Sequence, residues 1–168
     1  MYFVLQRQMA KQLRQLLTWI DKAEAHAKAK GFDPEVYLTL RLAPDQFAFV
    51  RQVQSACDTA KLSTSRVTGK DAPVHADDER TLAELRARVG SVLVYLDGIT
   101  PDDYAGAADR VIKNPRWNGQ FMRGADYFVE HALPNFYFHL THAYAILRHA
   151  GVDVGKLDYL GALSLQAG

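Results

Sequence analysis

Cysteine is almost missing from this chain. The single Cys57 among 168 residues excludes an internal disulfide and any zinc site built from several thiolates. Its expected role is that of a small buried hydrophobe. No apolar stretch approaches the ~20 residues that cross a bilayer. The first residues also lack the apolar region and cleavage site of a signal peptide. The expectations are therefore a cytoplasmic location and no membrane partner. Neither sign of charge is in excess, because 20 basic and 19 acidic residues leave a net charge of +1. Nucleic-acid binding rests on a concentrated cationic surface that displaces counterions, and no run of this sequence supplies one. The densest acidic run, Asp77, Asp78 and Glu79, reads as a solvated helix start. Repeats, low-complexity tracts and interdomain linkers are absent too, so one domain over residues 1–168 is expected.

What is present is helical periodicity. Leu5, Met9, Leu13, Leu16, Leu17 and Ile20 recur at three- and four-residue steps, and Gly31 is placed to end that helix. After a connection from Phe32 to Ala43, Pro44 suits a first helical turn, with Asp45 near the positive end of the dipole. The second helix would carry Phe47, Val50, Val53, Cys57 and Ala60 inward and stop near Gly69. A polar loop from Lys70 to Asp78 leads to a third helix with Leu82, Leu85, Val89, Val92, Leu93 and Leu96 as its core face. Gly98 to Gly124 is the least regular stretch. Val111-Ile112 and Gln120-Phe121-Met122 flank Asn-Pro and Asn-Gly turn signals there, which allows a small hairpin. The last helix begins near Ala125 and runs to Gly151, with a kink or fresh start at Pro134. Four amphipathic helices with one long connection suit an all-α bundle.

On the last helix, His139 and His142 fall within about 40° of Asn135 at about 100° per residue. Phe136, Leu140, Ala143 and Leu147 form the core stripe beside them, so the polar stripe borders the core. Bundles build interior pockets at such a border. His139 and His142 are spaced to share one metal ion, yet zinc takes three or four ligands, and Pro134 to Val152 contains no carboxylate. A hydrogen-bonded core histidine is the commoner reading. Tyr127, Phe128, Phe136, Tyr137, Phe138 and Tyr144 crowd the same region and are read as packing. Trp19 and Trp117 are expected to cover apolar surface. Arg148 is expected to reach a helix C-terminus or Asp158, and Lys156 and Asp158 to fix the tail. The sequence identifies no catalytic residue, no ligand and no thiol cofactor.

Pro-Asn-Phe-Tyr-Phe-His (134–139), Ala-Tyr-Ala-Ile-Leu-Arg (143–148) and Gly-Lys-Leu-Asp-Tyr-Leu-Gly (155–161) resemble a domain-of-unknown-function family within the DinB/YfiT-like superfamily. Leu-Ala-Pro-Asp-Gln-Phe (42–47) and Gln-Val-Gln-Ser-Ala-Cys-Asp (52–58) fit the same family. The resemblance implies a DinB-like four-helix bundle in up-down-down-up order, often a homodimer. Many members hold a divalent metal with one histidine from the second helix and an HxxxH pair on the fourth, and some are transferases or isomerases using low-molecular-weight thiols. Those positions correspond to Gln52, Asn135 and His139. Amide oxygens are poor ligands for zinc or nickel, so no metal is expected; His139 and His142 are the ligands if one is held. The leading expectation is a small ligand held by Gln52, Asn135, His139 and His142 in a degenerate metal pocket. The alternatives are a metal-dependent thiol transferase and a structural dimeric interaction protein.

Overall fold

The computed structural model describes residues 1–166 and 168. Helix α1 (Tyr2–Lys30) buries Met9, Leu13, Leu16 and Ile20 along one stripe, and Gly31 ends it at φ 77. That left-handed residue is the one a glycine adopts at no steric cost. Helix α2 (Phe49–Thr68) stops in the same way at Gly69. Helix α3 (Leu82–Asp97) starts on a capping box between Thr81 and Glu84 and buries Leu82, Leu85, Val89, Val92, Leu93 and Leu96. The cap is worth about 1 kcal/mol, whereas each buried Leu contributes about 2 kcal/mol. Packing of the apolar face therefore dominates, and the cap sets where the helix begins.

Two short strands, β1 (Val111–Lys113) and β2 (Phe121–Arg123), pair antiparallel with Ile112 opposite Met122. Ile112 is buried and anchors this hairpin to the core. A turn of 3₁₀-helix, Pro115–Trp117, forms its tip. The chain then re-enters the body at α4 (Gly124–Asp126). A Cβ on Gly124 would sit 1.9 Å from the Ala107 carbonyl oxygen, so only glycine fits at this crossing.

A π-helical stretch, Tyr127–Ala132, separates α4 from α5 (Leu133–His149). Pro134 explains it. Its ring removes the N–H that would bond the Glu130 carbonyl and crowds that oxygen, and Leu133 donates to the Phe128 carbonyl, five residues back. The last long helix thus breaks at Pro134 as its sequence implies, by widening rather than by a simple bend.

Helices α1 and α3 run antiparallel, with Gln6 donating to the Leu96 carbonyl at 3.1 Å and Arg86 pairing with Asp21 at 2.7 Å. Helices α2 and α3 share a direction, since Arg88 meets Asp58 at 2.7 Å and Tyr95 donates to the Lys70 carbonyl at 3.1 Å. Helix α5 follows α1, with Tyr2 edge-on to Phe128 just before α5 and Trp19 edge-on to Tyr144 further along. It runs against α2, its most extensive partner. A short helix α6 (Lys156–Leu160) lies across α1, where the Trp19 indole donates to the Asp158 carbonyl at 3.1 Å.

Three local expectations need correction. Pro44 does not start α2, which begins at Phe49. The Phe49 N–H bonds the Leu40 carbonyl at 2.8 Å across the loop, and the Gln52 side chain takes the Phe47 carbonyl. Phe47 therefore stays outside the helix, half-exposed. Asp77 and Glu79 do not form a solvated helix start. Both pair with the buried guanidinium of Arg88, at 2.7 and 2.8 Å, and so pin the loop before α3 to the body. Arg148 faces Asp153 at 3.7 Å, leaving Asp158 to Lys22 at 2.7 Å.

Candidate functional site

A cleft of about 390 Å³ opens between α2 and the π–α5 segment, with the hairpin tip over one end. That volume lies in the range of small-ligand sites. Helix α2 lines it with Arg51, Ser55, Asp58, Thr59, Leu62 and Arg66. These positions follow one helical stripe. Opposite stand Tyr127, His131, Asn135 and His139, at four-residue steps, and the tip adds Asn114, Arg116 and Trp117.

At the inner end, His139 Nδ1 lies 2.8 Å from Gln52 Oε1. The Gln52 amide nitrogen donates to the Phe47 carbonyl at 3.2 Å, which fixes the amide's orientation. An amide oxygen has no proton to give, so the histidine must donate. Nδ1 therefore carries the hydrogen, and Nε2 is left with a bare lone pair. Among the described residues no protein group bonds that Nε2. Phe47 stacks on the imidazole at 6.2 Å between ring centres. Burial first, then electrostatic repulsion from His142 and Arg51, hold His139 down to about 4. The ring is neutral at pH 7.

Midway along, the Asn135 amide donates to Thr59 Oγ1 at 2.6 Å, and that hydroxyl donates to the Ser55 carbonyl at 2.7 Å. At the outer end, Arg66 donates to the Tyr127 hydroxyl at 2.8 Å. His131 stacks on Tyr127 at 5.3 Å and meets the edge of Trp117 at 5.5 Å. Its Nδ1 is buried without a partner. Burial and then Arg66 lower its pKa, so this imidazole also favours its neutral form.

The profile of a family described as Domain of unknown function (DUF1993) matches residues 1–160. The chain belongs to that family. A crystal structure of a DinB family member protein from Shewanella denitrificans is 53% identical to this DUF1993 chain. The two superpose with a TM-score of 0.94, covering 97% of this chain and 93% of that one. The mostly helical fold of a DinB relative is thus established for it. No curated protein matches the chain.

Of the residues singled out from sequence, Asn135 and His139 line the cleft, and Gln52 lies fully buried directly behind His139. His142 stands apart. Its Nδ1 turns back to the Phe138 carbonyl at 2.6 Å, and it does not line the cleft. The donors present do not suit the divalent metal held by many superfamily members. Gln52 spends both amide atoms on His139 and Phe47, Asn135 gives its nitrogen to Thr59, and among the described residues no three His, Cys, Asp or Glu side chains converge. Cys57 is fully buried, and burial pushes its thiol up to about 12, which removes it as a nucleophile.

Sequence reasoning missed Arg51, Asp58, Arg66, His131 and the tip residues. The α2 stripe was available in principle, since Arg51, Ser55, Asp58, Thr59, Leu62 and Arg66 follow a helical period. The hairpin's position over the cleft was not, because nothing local in its sequence says which helices it folds onto.

Proposed function

We propose that this DUF1993 chain is a DinB-like binding protein that takes a small polar ligand in the cleft between α2 and α5. His139 Nε2 is the atom that accepts the ligand's hydrogen-bond donor. The observation carrying this reading is the Gln52 clamp, which presents a neutral, bare Nε2 to the cleft from a buried, stacked ring. The Asn135 side chain adds an amide oxygen one turn away. Buried polar atoms without partners are uncommon in folded proteins, and the His131 Nδ1 of this cleft is one.

The four long helices, with α2 parallel to α3 and α5 parallel to α1, support a bundle in up-down-down-up order forming one domain. A symmetric homodimer belongs to the same reading, because a net charge of +1 opposes association little. Among the described residues no helix is long and apolar enough to cross a membrane. A cytoplasmic protein acting on a diffusible ligand belongs to the same proposal. A metal-activated thiol mechanism is not favoured, since Gln52 uses both amide atoms on protein partners and the amide oxygen of Asn135 is a poor ligand for zinc or nickel.

The experiment is a small-molecule titration followed by ¹⁵N–¹H spectra. Binders should move the resonances of Thr59, Asn135 and His139, and Gln52→Leu, which frees the imidazole tautomer, should weaken them at least fivefold. Binders that map only to the α1–α3 face, or that are indifferent to Gln52→Leu, would contradict the reading.

A further inference from the structure

The two ends of the cleft differ in charge. Fourteen residues of α2 separate Gln52 from Arg66, so at 1.5 Å per residue the ends stand about 20 Å apart. Asp58, the carboxylate of the lining, is already held by Arg88 at 2.7 Å and Lys61 at 3.0 Å. Arg51, at the inner end, is neutralised by Asp77 at 2.5 Å. Arg66 has no carboxylate partner among the described residues, and neither does Arg116 at the rim. The Tyr127 hydroxyl occupies only one of the Arg66 nitrogens, and a guanidinium has five N–H donors in a fixed fork. That fork is half-buried and lies over the Tyr127 ring at 5.8 Å, and Trp117 and His131, packed edge to face, line the same cleft. Planar, bidentate recognition is what arginine does best with carboxylates.

We infer that the hairpin end of the cleft takes an organic carboxylate, bound by Arg66 beneath Trp117 with Arg116 at the rim. This rests on the cleft being a ligand site, as proposed above. One half-buried guanidinium and one at the rim match a monoanion better than a phosphate dianion. The ligand is then anionic at the hairpin end and carries a hydrogen-bond donor toward the His139 end.

The two tryptophans make the test direct. Trp19 is fully buried under the tail, and Trp117 lines the cleft. Their indole N–H resonances, assigned with Trp117→Phe, are followed while benzoate, benzyl alcohol or inorganic phosphate is added at constant ionic strength. Benzoate should shift the Trp117 signal saturably and leave Trp19 unmoved, and Arg66→Gln should weaken it at least tenfold. Tyr127→Phe, which only releases the guanidinium, should weaken it about threefold and guards against a misfolded Arg66 variant. Benzyl alcohol binding as tightly as benzoate, unaffected by Arg66→Gln, would overturn the carboxylate while leaving the cleft a ligand site. Phosphate binding more tightly than benzoate would overturn the choice of anion. No shift with any probe would overturn both readings.

Discussion

His139 Nδ1 and Gln52 Oε1 sit 2.8 Å apart across α2 and α5, and this contact decides which ring nitrogen faces the cleft. It joins a buried amide to a buried imidazole, and the Phe47 carbonyl leaves the amide no freedom to turn.

A consequence is a pH dependence of stability. His139 falls from its ordinary 6.5 to about 4 in the folded protein. Above pH 6.5 both folded and unfolded forms are neutral, and the residue adds nothing. As the pH drops from 6.5 toward 4, the unfolded chain binds a proton that the folded one refuses, so stability is lost over that window. The full loss is on the order of 3 kcal/mol. Urea unfolding at pH 7 and pH 4.5 should show a steeper decline in wild type than in His139→Gln. In Gln52→Glu the carboxylate should raise the His139 pKa by about two units, read by NMR titration of the ring. Equal pH slopes in wild type and His139→Gln would remove the burial argument.

Arg88 tests the other buried polar cluster. Its side chain is 1% exposed and meets Asp58, Asp77 and Glu79. Removing one partner of such a network strands the rest, at about 3 to 5 kcal/mol. Arg88→Met should therefore lower the urea midpoint sharply. Burial pushes Asp77 and Glu79 up, but hydrogen bonds from Arg51 and Arg88 to Asp77, and from Arg88 and Gln54 to Glu79, together with the Arg88 charge, hold both below their ordinary pKa values. Their contribution is present above the unfolded carboxylate range and is lost as pH falls through their lowered values. The Arg88→Met deficit should shrink in acid. A deficit that stays constant to pH 3 would assign Arg88 to packing alone.

Helix content and the core stripes were legible because burial imposes a period. Leu82, Leu85, Val89 and Leu96 announce the α3 face without any tertiary knowledge. Gly31, Gly69 and Pro134 marked real boundaries because their backbone chemistry is local. Asp77 and Glu79 misled for the opposite reason: their partner Arg88 is brought to them by tertiary packing, and an acidic run looks solvated until that partner is known. The site was half legible. A helical wheel groups Asn135 with His139, but it also groups them with His142, whose ring bonds its own helix. Arg66 and Trp117 line one cleft only because the hairpin folds over α2, a non-local event.

Cys57 gives a simple check on the interior. Its thiol is fully buried and pushed up to about 12. A thiol reagent at pH 8 should label the native protein at least a hundredfold more slowly than a small free thiol, and rapidly in denaturant. Fast native labelling would mean that the α2 face opens in solution.

If Gln52, Asn135 and His139 occupy the metal-ligand positions that the superfamily resemblance implies, a gain of function follows. Gln52 touches His139, and Asn135 precedes it by one turn on the same lining. Gln52→His combined with Asn135→His should build a three-imidazole set, a recognised zinc arrangement. Zinc should then raise the melting temperature of the double variant and not of wild type. Adding His139→Ala should abolish the effect. A folded double variant indifferent to zinc would mean that the three positions do not converge.

The most direct measurement is the ¹⁵N spectrum of His139 through its ring protons, recorded with and without one equivalent of zinc. The account predicts a protonated Nδ1 and a bare Nε2 from pH 8 down to pH 5, both unchanged by zinc. It also predicts that Gln52→Leu mixes the two tautomers. A proton on Nε2, titration near 6.5, or a zinc-dependent Nε2 shift in wild type would contradict the neutral, metal-free acceptor on which the account rests.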